Sequence, residues 1–280
     1  PLGLPAEMAA LGIVEMVDET MANAARVHAI ESGKTYEGRT LIAFGGGGPV
    51  HACRLAEKLG ISRILVPSGA GVGSAIGFLR APVAYELVRS LYQRLSSFDV
   101  GAVNALLAGM SAEAAAVVVA GSFGAQVSET RTAFMRYVGQ GHEIPVPLPA
   151  RALGADDVAG LRAAYDSEYA RFYDRPVPGS DIEVLSFSVI VSTLPEELPP
   201  PPASVPNGAV AVPAYVQSVR DTATGEVADW AVYPRVALRP GSRVIGPAII
   251  AEDETSTLVG PGWTASLDGA GYLALVQEVL

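Results

Sequence analysis

Residues 41–79 read LIAFGGGGPVHACRLAEKLGISRILVPSGAGVGSAIGFL. Residues 41–44 are an apolar run of the length expected for a short buried strand. Gly45, Gly46, Gly47 and Gly48 follow, and Pro49 suits the first turn of a helix, where its missing N–H removes nothing. Val50, Cys53, Leu55, Ala56 and Leu59 then recur at helical spacing, and Gly60 is a helix stop. Residues 64–66 form a second apolar strand, 67–73 a loop, and 74–79 start another helix. The order is strand, glycine loop, helix, strand, loop, helix. Crossover handedness favours parallel pairing of the two strands in an α/β layer.

The glycine run carries the chemical clue. A backbone without Cβ atoms lets a ligand approach closely, and free N–H groups at a helix N-terminus favour an anion or a polar ligand edge. No lysine follows the glycines, so the run is not G-x-x-x-x-G-K-[ST]. Pro49 and Val50 exclude G-x-G-x-x-G. On composition alone, a tight turn and a ligand site both remain open. The ligand reading makes Gly46 and Gly47 an open surface whose N–H groups lack protein partners; a purely structural turn would pair them.

The composition of the 280 residues narrows the class. Half are hydrophobic and 17% are charged, enough to fill a core. A net charge of −10 argues against a general nucleic-acid or anionic-membrane binder. No apolar run is expected to reach the roughly 20 residues that cross a bilayer. The single Cys53 allows no internal disulfide and reads as a small buried filler, and three scattered histidines give no zinc pattern. No metal ligands are assigned. A cytoplasmic setting is the default. The chain starts at Pro1 with no methionine or signal peptide, which reads as part of a longer protein.

Residues 5–32 read as a helix with Leu11, Val14, Val17, Met21, Ala24 and His28 on one apolar side. Arg26 suits a local ion pair better than a distant phosphate. Residues 83–95 look extended. Residues 100–120 read as a helix interrupted at Gly109, and 128–137 with 142–148 as a hairpin turning at Gly139, Gln140 and Gly141. Residues 156–173 are a helix with Leu161, Tyr165, Tyr169 and Phe172 on one face, started by Asp156 or Asp157. Residues 182–191 are a strong strand. Pro195 and five further prolines up to Pro206 mark 195–207 as an extended linker. Short strands follow at 211–219, 227–233, 248–251, 255–259 and 272–276. Glu252, Asp253 and Glu254 read as a solvated acidic turn.

The strings FGGGGPVHACRLAEKLGI and ILVPSGAGVGSAIGFL resemble the hydantoinase A / 5-oxoprolinase family, with Gly47 in place of its usual Ala and Val50 in place of its usual Leu. MANAARVHAIESG, MRYVGQGHEIPVPLP and VALRPGSRVIGPAIIAEDETSTLVGPGW resemble further family strings. The resemblance implies an α/β, actin/sugar-kinase-like ATPase fold with a ribonuclease-H-like subdomain, plus a C-terminal mainly β module. The expected division is an ATPase part at 1–95, an α+β region at 96–194, the linker at 195–207 and a separate β unit at 208–280.

What the resemblance implies about function is equally specific. Gly45, Gly46, Gly47 and Gly48 would lie against the adenosine part of ATP. His51, in the first turn after them, would touch nucleotide or hold the loop. Arg136, Gln140 and Glu143 are candidates for a substrate or interface site, or for a network holding their hairpin. The full-length protein would use ATP and Mg²⁺ to activate a cyclic amide, hydantoin or oxoproline, for hydrolysis. An ATP-dependent ketone carboxylase of the same family is the alternative, and an inactive assembly fragment a third reading. A second, hydantoinase B-type subunit is the implied partner. Catalytic residues would lie before Pro1 or on that partner, so this chain alone is expected to be inactive.

Overall fold

The computed structural model of the chain describes residues 3–173, 175, 177, 179–195 and 208–277. The first elements are α1 (Ala6–Glu31), β1 (Leu41–Ile42), α2 (Gly48–Leu59), β2 (Arg63–Val66) and α3 (Gly73–Arg80). Next come β3 (Ala84–Arg94), α4 (Val100–Gly121), β4 (Val127–Tyr137), β5 (Ile144–Leu148), α5 (Asp157–Tyr173) and β6 (Ile182–Thr193). The last are β7 (Tyr215–Arg220), β8 (Val227–Pro234), β9 (Arg243–Ile245), β10 (Ala248–Ala251), β11 (Ser256–Val259), β12 (Trp263–Leu267) and β13 (Leu273–Gln277). They gather into two compact units: Pro1–Leu79 with Leu198–Leu280, and Arg80–Glu197.

In the first unit β1 and β2 pair in parallel, Leu41 opposite Ile64 and Ile42 opposite Leu65. The α2 helix between them starts with Pro49 in its first turn and ends at Gly60, whose φ of 68° is the left-handed cap that glycine accepts without strain. The expected strand–helix–strand unit is therefore present. On α1, however, the buried residues are Asp18, Ala22 and Ala29, while Val17, Ala24 and His28 are exposed. The buried stripe is rotated from the expected one, because small Ala22 and Ala29 allow close approach to α2 while Ile13 and Met16 face outward.

The expected mainly β C-terminal part is present, with β7, β8, β10 and β11 in a sheet of their own, but its expected separateness is corrected: β9, β12 and β13 join the sheet of β1 and β2. One five-stranded sheet runs β1-β2-β13-β12-β9, with β13 antiparallel to β2, Leu275 opposite Ile64 and Leu273 opposite Val66. Those four side chains are almost fully buried in a core shared with Trp263, Val244 and Ala56. The physical reason is the second edge of β2: an alternating strand such as β13 satisfies that ladder and buries its apolar face at the same time. The other sheet of this unit runs β11-β10-β8-β7. The proline-rich run 195–207 lies, apart from Pro195, outside the described residues.

The second unit is a four-stranded antiparallel sheet, β3-β6-β4-β5, with α4 and α5 packed on it. Residues 84–94, expected with the first part of the chain, pair here as β3 with β6. The α4 helix is continuous through Gly109, which sits on its exposed side, so the lost Ala-level propensity of about 1 kcal/mol is not enough to break it. By length and composition α4 could also cross a bilayer, contrary to expectation. Its Val103, Leu107, Met110, Ala114 and Val118 are instead buried in this unit's core. Asp99 caps its start, accepting from the Ala102 N–H at 2.9 Å. Tyr137, Tyr165 and Tyr169 meet in the same core, with Tyr137 edge-on to both others at 4.9 Å.

Candidate functional site

Because β1 and β2 are parallel, their C-terminal ends open on one edge of the sheet. Ligands in open α/β sheets sit at that edge. The chain leaves β1 through residues 43–47 and β2 through 67–72. The two loops are tied together: the Gly45 N–H donates to the Ala70 carbonyl at 2.7 Å, with Gly45 at a φ of 93° that only glycine adopts comfortably. A third loop, between β10 and β11, closes against both. The Thr255 hydroxyl donates to the Gly46 carbonyl at 2.8 Å, and a Cβ on Gly71 would stand 2.6 Å from Glu254 Cβ.

This scaffold leaves the middle of the glycine run open. Gly46 and Gly47 are exposed, and among the described residues neither N–H has a protein acceptor. The next donors are used: Gly48 N–H reaches Gly45 O and Val50 N–H reaches Gly47 O, each at 3.2 Å. A Cβ on Gly47 would meet nothing within 4 Å. Beside the loop is a cavity of about 320 Å³ bordered by Met21, Ile42, Phe44, Gly47, His51 and Leu55. It is mostly apolar, with the imidazole as its polar side chain among those six.

His51 is held from behind. Its Nδ1 is 2.7 Å from Oδ1 of Asp18, a carboxylate only 1% exposed on α1. The rest of the α1–α2 seam is laced by exposed acids. Glu15 accepts from Lys58 at 2.5 Å and Arg54 at 3.2 Å, and Glu19 from Lys58 at 2.9 Å. The Lys58 ammonium, ahead of the arginines, holds both glutamates below the usual carboxylate range. Arg26 makes local bonds to Glu19 and Asn23 on α1 and also crosses to α2, donating to the Lys58 carbonyl. Cys53 is on the buried face of α2 itself, and burial pushes its thiol up to about 12, which disfavours a nucleophilic thiolate there.

The other sequence candidates do not converge. Arg136, Gln140 and Glu143 stand in the second unit. Arg136 Nε donates to Glu183 at 2.6 Å, and this nearly buried carboxylate also accepts from the Tyr92 hydroxyl at 2.9 Å. Gln140 donates to the Tyr169 hydroxyl at 2.7 Å, and Glu143 is exposed. The acidic turn is only partly solvated: Glu252 pairs with Arg235 at 2.7 Å, both side chains about 11–12% exposed. Two contributors to the site escaped the sequence reading, Asp18 and Thr255. The signal for Asp18 was an acid at i+4 from Val14 and i−4 from Ala22, on the stripe that α1 buries.

The sequence profile of the hydantoinase/oxoprolinase family matches residues 1–87, and that of its C-terminal domain matches residues 100–277. The chain belongs to the hydantoinase/oxoprolinase family. The crystal structure of an ATP-dependent caprolactamase from Pseudomonas jessenii superposes with a TM-score of 0.73 at 28% identity, covering 99% of this chain and 41% of that one. A nucleotide-free acetone carboxylase structure superposes with a TM-score of 0.68 at 27% identity, again over 99% of this chain and 41% of the other. A 5-oxoprolinase of Pestalotiopsis fici is 30% identical over 271 residues, 94% of this chain and 20% of its own length. The hydantoinase-type α/β fold read from the glycine loop is thus the fold of these relatives. The chain spans about two fifths of the length of relatives such as the caprolactamase.

Proposed function

We propose that this chain is the C-terminal part of a hydantoinase A-type subunit and that residues 45–48 with His51 form the adenosine-side wall of its ATP site. The observation that carries this is the pair of exposed, unpartnered N–H groups on Gly46 and Gly47 at the carboxyl edge of two parallel strands. The residues fit such a group. Two donors lack acceptors among the described residues, no Cβ obstructs Gly47, and a mostly apolar cavity adjoins them. Bound ATP would supply the phosphoryl group that activates an amide carbonyl. The chain's own part is to hold its loop rigid through the Gly45–Ala70 and Thr255–Gly46 bonds, to present the two N–H donors, and to shield one side from water. Among the described residues no group of three or more His, Cys, Asp or Glu gathers as a metal site. We propose that the Mg²⁺ ligands stand on other parts of the enzyme.

The reaction we infer is ATP-dependent opening of a cyclic amide, a hydantoin or oxoproline, with a hydantoinase B-type subunit as partner and a cytoplasmic setting, where ATP is supplied. Similarity to caprolactamase and 5-oxoprolinase supports it. ATP-dependent carboxylation of a ketone is the second reading, supported by the acetone carboxylase likeness. The test is a screen of the full-length subunit with its partner against oxoproline, hydantoins and ketones, with and without ATP and bicarbonate. ATP-dependent ring opening supports the first reading, and bicarbonate-dependent turnover of a ketone replaces it with the second. Failure of every substrate, with no nucleotide bound, leaves only the assembly role.

A further inference from the structure

We propose that Asp18 and His51 form a dyad that reads a hydrogen-bond donor on the nucleoside part of the bound nucleotide, with Asp18 as the positioning residue. The proposal rests on the nucleotide reading above. Its starting point is an asymmetry in the α1–α2 seam. Glu15 and Glu19, which tie the two helices through Lys58 and Arg54, are 39% and 46% exposed. Asp18 is 1% exposed, and its partner is an imidazole rather than a long cation. Burying a carboxylate is costly unless it is paired, and the exposed pairs already tether the helices. His51 differs from Lys58 and Arg54 in bordering the cavity beside Gly47.

A carboxylate accepts hydrogen bonds and donates none, so the Nδ1–H of His51 donates to Asp18 at 2.7 Å. In the neutral imidazole that tautomer leaves Nε2 as an acceptor. The loop then offers a ligand two backbone donors, at Gly46 and Gly47, and one side-chain acceptor, at His51. A nucleoside carries both complements: ring and sugar oxygens and nitrogens that accept, and an exocyclic amine and hydroxyls that donate. An acceptor in a mostly apolar wall discriminates strongly, because a ligand without the donor leaves it desolvated and unpaired.

Asp18→Asn tests this in the full-length subunit with its partner. The side chain keeps its shape, but its amide can donate to Nδ1, which moves the imidazole proton to Nε2 and turns the acceptor into a donor. Isotope-labelled histidine NMR should report the tautomer change. The KM for ATP should rise roughly tenfold, with kcat and melting temperature unchanged. Among ATP analogues lacking the adenine amine, the ribose 2′-hydroxyl or the 3′-hydroxyl, one should bind the parent enzyme roughly tenfold more weakly than ATP. That difference should vanish in Asp18→Asn and in the double change Asp18→Leu/His51→Phe, which removes the buried carboxylate together with its partner and so keeps the test open if Asp18→Asn does not fold. A lowered melting temperature with unchanged ATP affinity would make the pair a helix tether only and overturn the proposal, as would three analogues that lose nothing to the double change. An enzyme that binds no ATP in any form would overturn the nucleotide reading itself, a distinct result.

Discussion

The Gly45 N–H donates to the Ala70 carbonyl at 2.7 Å, joining the loop that leaves β1 to the loop that leaves β2. Each loop needs glycine for a different reason, and the reasons predict different outcomes. A Cβ on Gly71 would stand 2.6 Å from Glu254 Cβ and 2.8 Å from its backbone, so Gly71→Ala must displace the β10–β11 turn. We expect a loss of about 1–3 kcal/mol, read as a lowered melting temperature. Gly47→Ala meets open space at a φ of −98° and should leave the melting temperature within a degree or so. Equal effects would mean that the three loops do not pack as described.

Cys53 is 5% exposed and donates its S–H to the Leu258 carbonyl at 3.1 Å, and burial pushes its thiol up to about 12. Near neutral pH the thiol therefore stays protonated and unreactive. Mass spectrometry should find the Cys53 peptide unmodified after exposure of the native protein to iodoacetamide, and fully modified after denaturation. Rapid native labelling would contradict its burial.

The Lys58 ammonium, then Arg54, lowers the Glu15 carboxyl below its ordinary value of 4.5. A lowered folded value means stability present above that pH and lost as the pH falls through the folded value. Glu15→Gln should therefore lower the melting temperature at pH 7 and converge with the parent as the pH falls below 4.5 and through the lowered folded value. Glu15 is 39% exposed, so the difference at pH 7 should be a screened ~0.2–1 kcal/mol. An effect that grows on acidification would refute the assignment.

Arg136→Met separates a structural from a functional role for the β4–β5 hairpin. It leaves Glu183, 6% exposed, with the Tyr92 hydroxyl as its remaining donor. Arg136 is itself 28% exposed, so we expect about 2–3 kcal/mol of lost stability, below the range for fully buried pairs. An unchanged melting temperature with impaired turnover would instead make Arg136 a contact residue.

The strand–glycine–helix–strand unit was legible because each signal in it is local: apolar runs at 41–44 and 64–66, Pro49 in a first turn, Gly60 as a stop. Long-range pairing was not. Nothing in the residues of β13 names β2 as its neighbour, since an alternating strand fits any open edge with a matching buried face. Short β9 and β12 went unread because each lies beside turn-forming glycines and prolines that mask a strand of three to five residues. Asp18 was hidden by the apolar residues around it on α1, where the spacing of Val17, Ala24 and His28, all exposed, set the stripe on a neighbouring face.

The central claim is that the glycine run faces adenosine, and Gly46→Val tests it most directly. Gly46 has no left-handed φ, and a Cβ there would meet only the Glu254 carbonyl, at 3.8 Å, so the fold should accept the change. Titration of ATP into the full-length subunit and its Gly46→Val form should show affinity weakened roughly tenfold or more, for a loop whose open side a ligand occupies. The melting temperature without ATP should stay the same. Equal ATP affinity in the two proteins would contradict the account.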